Sequence, residues 1–185
     1  MSSKNIVIFA SGSGSSAENI ILSFKKTPAI NVAKLYCNKP DAFVLQRIKK
    51  YNVESLLFNS IELNNNTVLE NLTKASPDLI VLAGFLQKIP EKIINAFKNK
   101  IINIHPSLLP KYKGLNTHLR AIKNKDKFSG ASVHKVTQKL DSGKIILQKK
   151  IKILKKDTVK SLEKKVLKIE HEIYPKAIVK FITNL

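Results

Sequence analysis

Short runs of apolar residues alternate along the chain with segments whose apolar residues recur every three or four positions. The first pattern is typical of strands buried in a parallel sheet, and the second is typical of helices that cover one. The runs predict strands at residues 5–10, 32–37, 53–58, 78–83, 100–104, 131–136 and 144–153. The helical spacing predicts helices at residues 17–26, 42–51, 67–74, 90–97, 116–123 and from Thr158 onward. Residues 63–66 are expected to form a loop, and Pro175 to kink or end the last helix.

This order of elements predicts an α/β fold with a Rossmann-like, mostly parallel sheet and helices on both faces. The last two strands follow each other without a helix, so that edge of the sheet is expected to be mixed or antiparallel. A length of 185 residues, of which 43% are hydrophobic, suits a single domain over residues 1–185. Ligands of such sheets bind at the carboxyl ends of the strands, so the residues that follow each strand are the first functional candidates.

Composition points to a compartment more clearly than to a function. Cys37 is the one cysteine, so no internal disulfide can form, and we expect a reducing, cytoplasmic environment. The apolar runs are too short for a membrane span or a secretory signal. A net charge of +20 leaves three interpretations open: a lysine-rich surface, nucleic-acid binding, or attraction of small anionic substrates. Nucleic-acid readers favour arginine and aromatic residues, and this chain has two arginines and no tryptophan. We therefore expect no specific nucleic-acid partner.

A glycine- and serine-rich stretch, residues 11–16, follows the first predicted strand and opens a helix; we name it the Gly-Ser loop. Glycines allow close approach of the backbone to an anion, and the helix start offers free N–H groups and the positive end of a dipole. The loop is therefore predicted to bind phosphate. A dinucleotide site and a purely structural turn are the alternatives. No acidic residue directly follows the second strand, where a dinucleotide site would need one.

Polar side chains end the strand at residues 100–104. Asn103 and His105 are two residues apart in an extended segment, so they project to the same side. An amide beside an imidazole can stabilise an oxyanion and move a proton, although a hydrogen-bonded structural pair would show the same spacing. Asp141, in a turn between the last two strands, could orient a histidine or could belong to an ordinary turn. His134, in the middle of a strand, is expected to be structural, and His118 and His171 are expected to be structural or exposed. No metal-ligand spacing is present.

Five segments occur in the order GSGSS, DLIVLAGF, NIHPSLLPKYKGLNTH, GASVH and LDSGKIILQ. Together they resemble the folate-dependent formyltransferase family over residues 5–175, and within it the enzymes that formylate phosphoribosylglycinamide in purine synthesis. The resemblance implies the formyltransferase fold, 10-formyltetrahydrofolate as a cosubstrate, and a monomer or homodimer with no metal and no membrane partner. Two alternatives are another enzyme of the same fold, such as a formyltetrahydrofolate hydrolase, and a basic nucleic-acid-binding module.

The resemblance also implies individual residue roles. The catalytic residues would be Asn103, His105 and Asp141. Phosphoribosylglycinamide would be bound by Gly14, Ser15, Ser16 and Glu170, the last at its ribose. The folate would be bound by Leu86, Gln87, Lys88, Ile89 and Asn103. Two departures from the family pattern stand out: Ser16 replaces an asparagine, and residues 57–75 lack an arginine that contacts the folate.

Overall fold

The computed structural model describes residues 3–183, which form seven strands and seven α-helices. The strands are β1 (Lys4–Ala10), β2 (Ile30–Cys37), β3 (Glu54–Leu57), β4 (Leu79–Leu82), β5 (Ile101–His105), β6 (Phe128–Lys135) and β7 (Ile145–Lys152). The helices are α1 (Ser15–Phe24), α2 (Phe43–Ile48), α3 (Ser60–Asn64), α4 (Thr67–Ala75), α5 (Glu91–Ala96), α6 (Thr117–Lys123) and α7 (Val159–Ile182), with a 3₁₀ turn at Lys49–Tyr51. All the predicted strands and helices are present, with ends shifted by a few residues.

The strands form a sheet in the order β3-β2-β1-β4-β5-β6-β7. Strand β1 runs parallel to β2 and β4, and β2 runs parallel to β3, whereas β6 and β7 are antiparallel. The predicted mostly parallel sheet with an antiparallel edge is therefore confirmed. Close pairing of β6 with β7 depends on Gly130, because a Cβ at that position would overlap the backbone carbonyl of Lys149.

The described residues fall into two compact units that divide after Ile102. In the first unit the side chains of residues 6–10 are fully buried, as expected for a central strand with both faces covered. In the second unit α7 packs on β6 and β7 through a stripe that includes Leu162, Val166 and Ile173. No helix within residues 3–183, α7 included, is both long and apolar enough to cross a membrane. The single domain over residues 1–185 stays a prediction.

Two local predictions were wrong in part. Pro175 does not end the last helix, because α7 continues to Ile182. The turns on both sides of the proline bury large side chains, including Tyr174 and Ile178, and this burial outweighs a cost of about 3 kcal/mol for an internal proline. The expected loop at residues 63–66 begins instead inside α3. The side chain of Asn59 accepts hydrogen bonds from the first turn of α3, and that of Glu62 accepts one from the Asn59 N–H, which completes a capping box.

Candidate active site

The Gly-Ser loop joins β1 to α1 through a left-handed residue. Gly14 has φ 75° and occupies the N-cap of α1, where no side chain caps the helix. A Cβ on Gly14 would overlap the side chain of Val44 and lie 2.8 Å from its Cα, so both the conformation and the space require glycine. Because Gly14 has no side chain, no N-cap side chain occupies the N–H groups of the first turn, which include those of Ser15 and Ser16. This is the geometry of an anion-binding loop.

Hydrogen bonds connect the Gly-Ser loop to the segment that follows β4. The Ser11 N–H donates to the Gly84 carbonyl at 3.2 Å, and the Leu86 N–H donates to Ser11 Oγ at 3.0 Å. The segment at residues 86–89, which the resemblance assigns to the folate, therefore lies beside the loop within the first unit.

The side chains of this segment differ in their accessibility. Leu86 is 68% exposed and free to contact a ligand, whereas Ile89 is 3% exposed and belongs to the core. The contact of Ile89 with the folate stays a prediction, and its side chain offers little exposed surface for that contact. Gln87 Oε1 is buried and has no hydrogen-bond partner within the described residues. Lys88 is exposed.

In the second unit, four side chains form a group that we name the histidine cluster: Asn103, His105, His134 and Asp141. His105 ends β5 and is 6% exposed. Its Nδ1 lies 3.3 Å from Asp141 Oδ2, and its Nε2 lies 2.8 Å from the Tyr112 carbonyl. Both ring nitrogens thus face oxygen acceptors, which is the arrangement that stabilises a protonated imidazole.

Asp141 holds three partners at once. Its Oδ2 accepts a hydrogen bond of 2.8 Å from the Gly114 N–H, and its Oδ1 lies 3.5 Å from His134 Nε2. Burial opposes the ionisation of Asp141, but the hydrogen bonds from His134 and Gly114 and the positive charge on the two histidines keep its pKa below the usual 3.8. The side chain is therefore a buried carboxylate at neutral pH.

His134 links the amide of the cluster to the carboxylate. Its Nδ1 lies 2.9 Å from the Lys135 carbonyl, which makes Nδ1 a donor. Its Nε2 lies 3.4 Å from Asn103 Nδ2. Its Nε2 therefore lies within hydrogen-bonding range of both the amide of Asn103 and the carboxylate of Asp141.

Opposing effects act on the pKa of His105. Burial is the largest of them and holds this pKa below the usual 6.5, because the charged ring loses its hydration. The Tyr112 carbonyl and the Asp141 carboxylate act in the opposite direction, because both favour the protonated ring. The net result is a histidine whose pKa is lowered by burial and whose cationic form has two acceptors in place.

The remaining histidines and Glu170 lie on helices of the same unit. Glu170 lies on α7, where burial raises its pKa to about 7, with a smaller contribution from the charge of Glu163. Burial lowers the pKa of His118, whose Nδ1 has no hydrogen-bond partner within residues 3–183. No group of three or more His, Cys, Asp or Glu side chains among the described residues is arranged to hold a metal ion.

The structure brings Asn103, His105 and Asp141 together, and it adds His134, which sequence reasoning took as structural. The partners of His134 lie on other elements: Asn103 is on β5, and Asp141 is in the turn before β7. Strand periodicity cannot reveal such contacts. The one signal that could have singled out His134 is its place in the GASVH segment of the family pattern.

Three comparisons show what the chain is similar to. A family model described as Formyl transferase matches residues 4–178. Phosphoribosylglycinamide formyltransferase of Escherichia coli (strain K12) is 36% identical over 180 residues, which cover 94% of this chain and 85% of that protein. The trifunctional purine biosynthetic protein adenosine-3 of Chironomus tentans is 34% identical over 95% of this chain and 13% of its own length. The crystal structure of phosphoribosylglycinamide formyltransferase from Anaplasma phagocytophilum matches with a TM-score of 0.90 at 34% identity, covering 95% of this chain and 85% of that one.

Proposed function

The chain belongs to the formyl transferase family, and we propose that it transfers the formyl group of 10-formyltetrahydrofolate to the amine of 5-phosphoribosylglycinamide in purine synthesis. The observation that carries the proposal is the histidine cluster, which gathers an amide donor, a buried carboxylate and a histidine with two acceptors in a chain whose relatives bear that enzyme's name. This is the set of groups that acyl transfer to an amine requires.

The substrate amine attacks the formyl carbon, and negative charge develops on the formyl oxygen. Asn103 donates a hydrogen bond from Nδ2 to that oxygen, and His105 donates from Nε2. The Nε2 proton is directed at the Tyr112 carbonyl, 2.8 Å away, so in the reaction the formyl oxygen replaces that carbonyl as the acceptor. Each such donor contributes about 3–4 kcal/mol to the transition state in other enzymes.

The intermediate then collapses with the bond between the formyl carbon and folate N10 breaking. The attacking nitrogen loses one proton and N10 gains one, so no net acid or base is consumed. Asp141 stabilises the protonated form of His105 across 3.3 Å and orients the water that carries the proton between the two nitrogens. The folate is a substrate and leaves as tetrahydrofolate.

Asn103 contacts the formyl group of the folate, and the rest of substrate binding is assigned to residues outside the histidine cluster. The Gly-Ser loop binds the phosphate through backbone N–H groups, so the serine at position 16 is a mild change. Glu170 binds the ribose, and Leu86, Gln87 and Lys88 contact the folate, with Ile89 supporting them from the core.

We assign the enzyme to the cytoplasm, as a monomer or homodimer that needs no metal, nucleic acid or membrane. The buried, free thiol of Cys37 supports a reducing compartment.

The test follows the loss of 10-formyltetrahydrofolate by absorbance with and without 5-phosphoribosylglycinamide. Loss that requires the nucleotide, with formylated product detected by mass spectrometry, is the expected result. Loss without the nucleotide would identify a hydrolase and overturn the proposal. Tight duplex binding at physiological salt with no turnover would instead favour a nucleic-acid-binding module.

A further inference from the structure

Arg47 on α2 is hydrogen-bonded directly to the backbone of the Gly-Ser loop. Its Nε donates to the Ser13 carbonyl at 2.9 Å, and its Nη1 donates to the carboxylate of Glu18. Its guanidinium lies over the ring of Phe43, 5.1 Å from the centroid. Only two of the 33 basic residues are arginines, so the chain uses lysine almost wherever a positive charge suffices. Arginine at this position indicates that the planar, forked geometry is needed.

Glu18, the second partner of Arg47, is held by further contacts. Glu18 lies in the first turn of α1 and accepts a hydrogen bond of 2.8 Å from Tyr51 in addition to the one from Arg47. Lys50 lies 3.0 Å from the same carboxylate. The hydrogen bond from Arg47 is the main reason that the pKa of Glu18 is lowered to about 2. Arg47 therefore connects the loop before Gly14 to the helix after it.

The contacts with α2 determine which way the peptide groups of the loop point. The Gly12 carbonyl accepts from the Val44 N–H at 3.1 Å, and the Ser13 carbonyl accepts from Arg47. In a planar trans peptide the N–H of the next residue points opposite to the carbonyl. With both carbonyls directed to α2, the N–H groups of Ser13 and Gly14 are directed away from it. Successive N–H groups turned to one side form an anion-binding concavity.

We propose that Arg47 is a positioning residue for phosphate binding: by holding the Ser13 carbonyl, it orients the Gly14 N–H toward the phosphate of the substrate. The inference rests on the proposed function, which assigns the phosphate to this loop. In this role Nε acts on the loop backbone and Nη1 on Glu18, whereas direct binding of the anion would use the remaining donors of the guanidinium.

The test compares Arg47→Lys and Arg47→Gln with the wild-type chain. The dissociation constants for 5-phosphoribosylglycinamide and for the same riboside without its phosphate are measured by calorimetry. Both variants are expected to bind the nucleotide about 10- to 100-fold more weakly, as for a lost hydrogen bond to a charged group, and to bind the riboside as the wild type does. Arg47→Lys keeps the charge, so its failure to restore binding separates positioning from simple attraction.

Lys50→Ala is the matched control, because it removes a positive charge from the same carboxylate and is bonded to Glu18 rather than to the loop. Its nucleotide affinity is expected to stay within about twofold of the wild type. Thermal unfolding is recorded for every variant. If Arg47→Gln does not fold, Glu18→Gln serves in its place, since it loosens the far end of Arg47 and should weaken the nucleotide and spare the riboside.

Inorganic phosphate gives a readout that is independent of turnover. In the wild type, its addition should shift the amide resonance of Gly14, and the shift should be lost in Arg47→Lys. Equal weakening of nucleotide and riboside, wild-type affinity in Arg47→Lys, or no phosphate-induced shift in the wild type would each overturn the inference. If formyl transfer is observed but phosphate binding does not depend on Arg47, only the inference is overturned. If phosphate binding depends on Arg47 but no formyl transfer occurs, only the proposed function is overturned.

Discussion

Asp141→Asn replaces a buried carboxylate by an amide of the same shape, 3.3 Å from His105 Nδ1. The Oδ1 of the asparagine can still accept from the Gly114 N–H, so the turn that carries residue 141 should keep its conformation. What changes is the charge beside His105. Because a nearby anion favours the protonated ring, the substitution should lower the pKa of His105 further below 6.5.

The size of the effect follows from the distance and the burial of the pair. Two unit charges at this separation interact by about 5 kcal/mol at an effective dielectric constant of 20, which is an upper bound for a shift. Opposite charges this close typically move a pKa by about 1–3 units, or about 1.4–4 kcal/mol. The protonated fraction of His105 falls tenfold per unit above its pKa. At pH 7.5 the turnover number should therefore fall by about 10- to 1000-fold.

Two measurements test this reasoning. The turnover number is measured from pH 5 to 9, and the His105 ring is titrated by NMR in the same buffers. The wild-type activity should decline as pH rises through the pKa of His105, and in Asp141→Asn the decline should begin about 1–3 units lower while the Michaelis constants stay nearly unchanged. Glu172→Gln is the matched control, because it removes one negative charge from an exposed site paired with Lys149 and Lys176.

A decline at unchanged or higher pH in Asp141→Asn would refute the electrostatic role of the carboxylate. A variant that unfolds earlier but retains its turnover per folded molecule would show that Asp141 only holds the turn. An equal shift in Glu172→Gln would mean that net charge, rather than the contact with His105, sets the titration.

Three further predictions concern other residues of the site. Asn103→Ala and His105→Ala should each reduce the turnover number about 100-fold or more. The double variant should lose less than the product of the two factors, because both side chains serve one transition state. Losses that multiply fully, with a lowered melting temperature, would contradict this. Gly14→Ala should destabilise the fold by about 1–3 kcal/mol in urea unfolding, because its Cβ adds backbone strain and overlaps Val44. Gly12→Ala should not destabilise the fold, because nothing lies within 4 Å of its new Cβ. Equal losses of stability in the two variants would contradict the loop geometry. Glu170 has a pKa of about 7 in the folded chain, above its unfolded value of 4.5. The stability that its protonated form contributes is therefore fully present below pH 4.5, and the free energy of unfolding should fall by on the order of 3 kcal/mol as the pH rises to 7. Glu170→Gln should abolish this dependence in unfolding experiments, and an unchanged profile would count against it.

The sequence by itself determined the local features of this protein. Buried runs such as residues 6–10, the glycines of the Gly-Ser loop and Thr158 as a helix N-cap were all predicted and are present. The two-residue spacing of Asn103 and His105 also follows from strand geometry alone. Each of these features depends on neighbours within a few positions, so periodicity and turn chemistry are enough to predict it.

Only the tertiary structure decided which distant groups meet. The contact of Asn103 with His134 joins residues 31 positions apart, and the bond from Arg47 to Ser13 joins residues 34 positions apart. Pro175 continues a helix because of what its flanking turns bury, which no local pattern shows. Strand pairing and helix packing close these long loops and bring side chains of distant segments into contact. The partners of the functional residues were therefore beyond the reach of spacing along the chain, because contacts between distant segments exist only once the sheet has assembled.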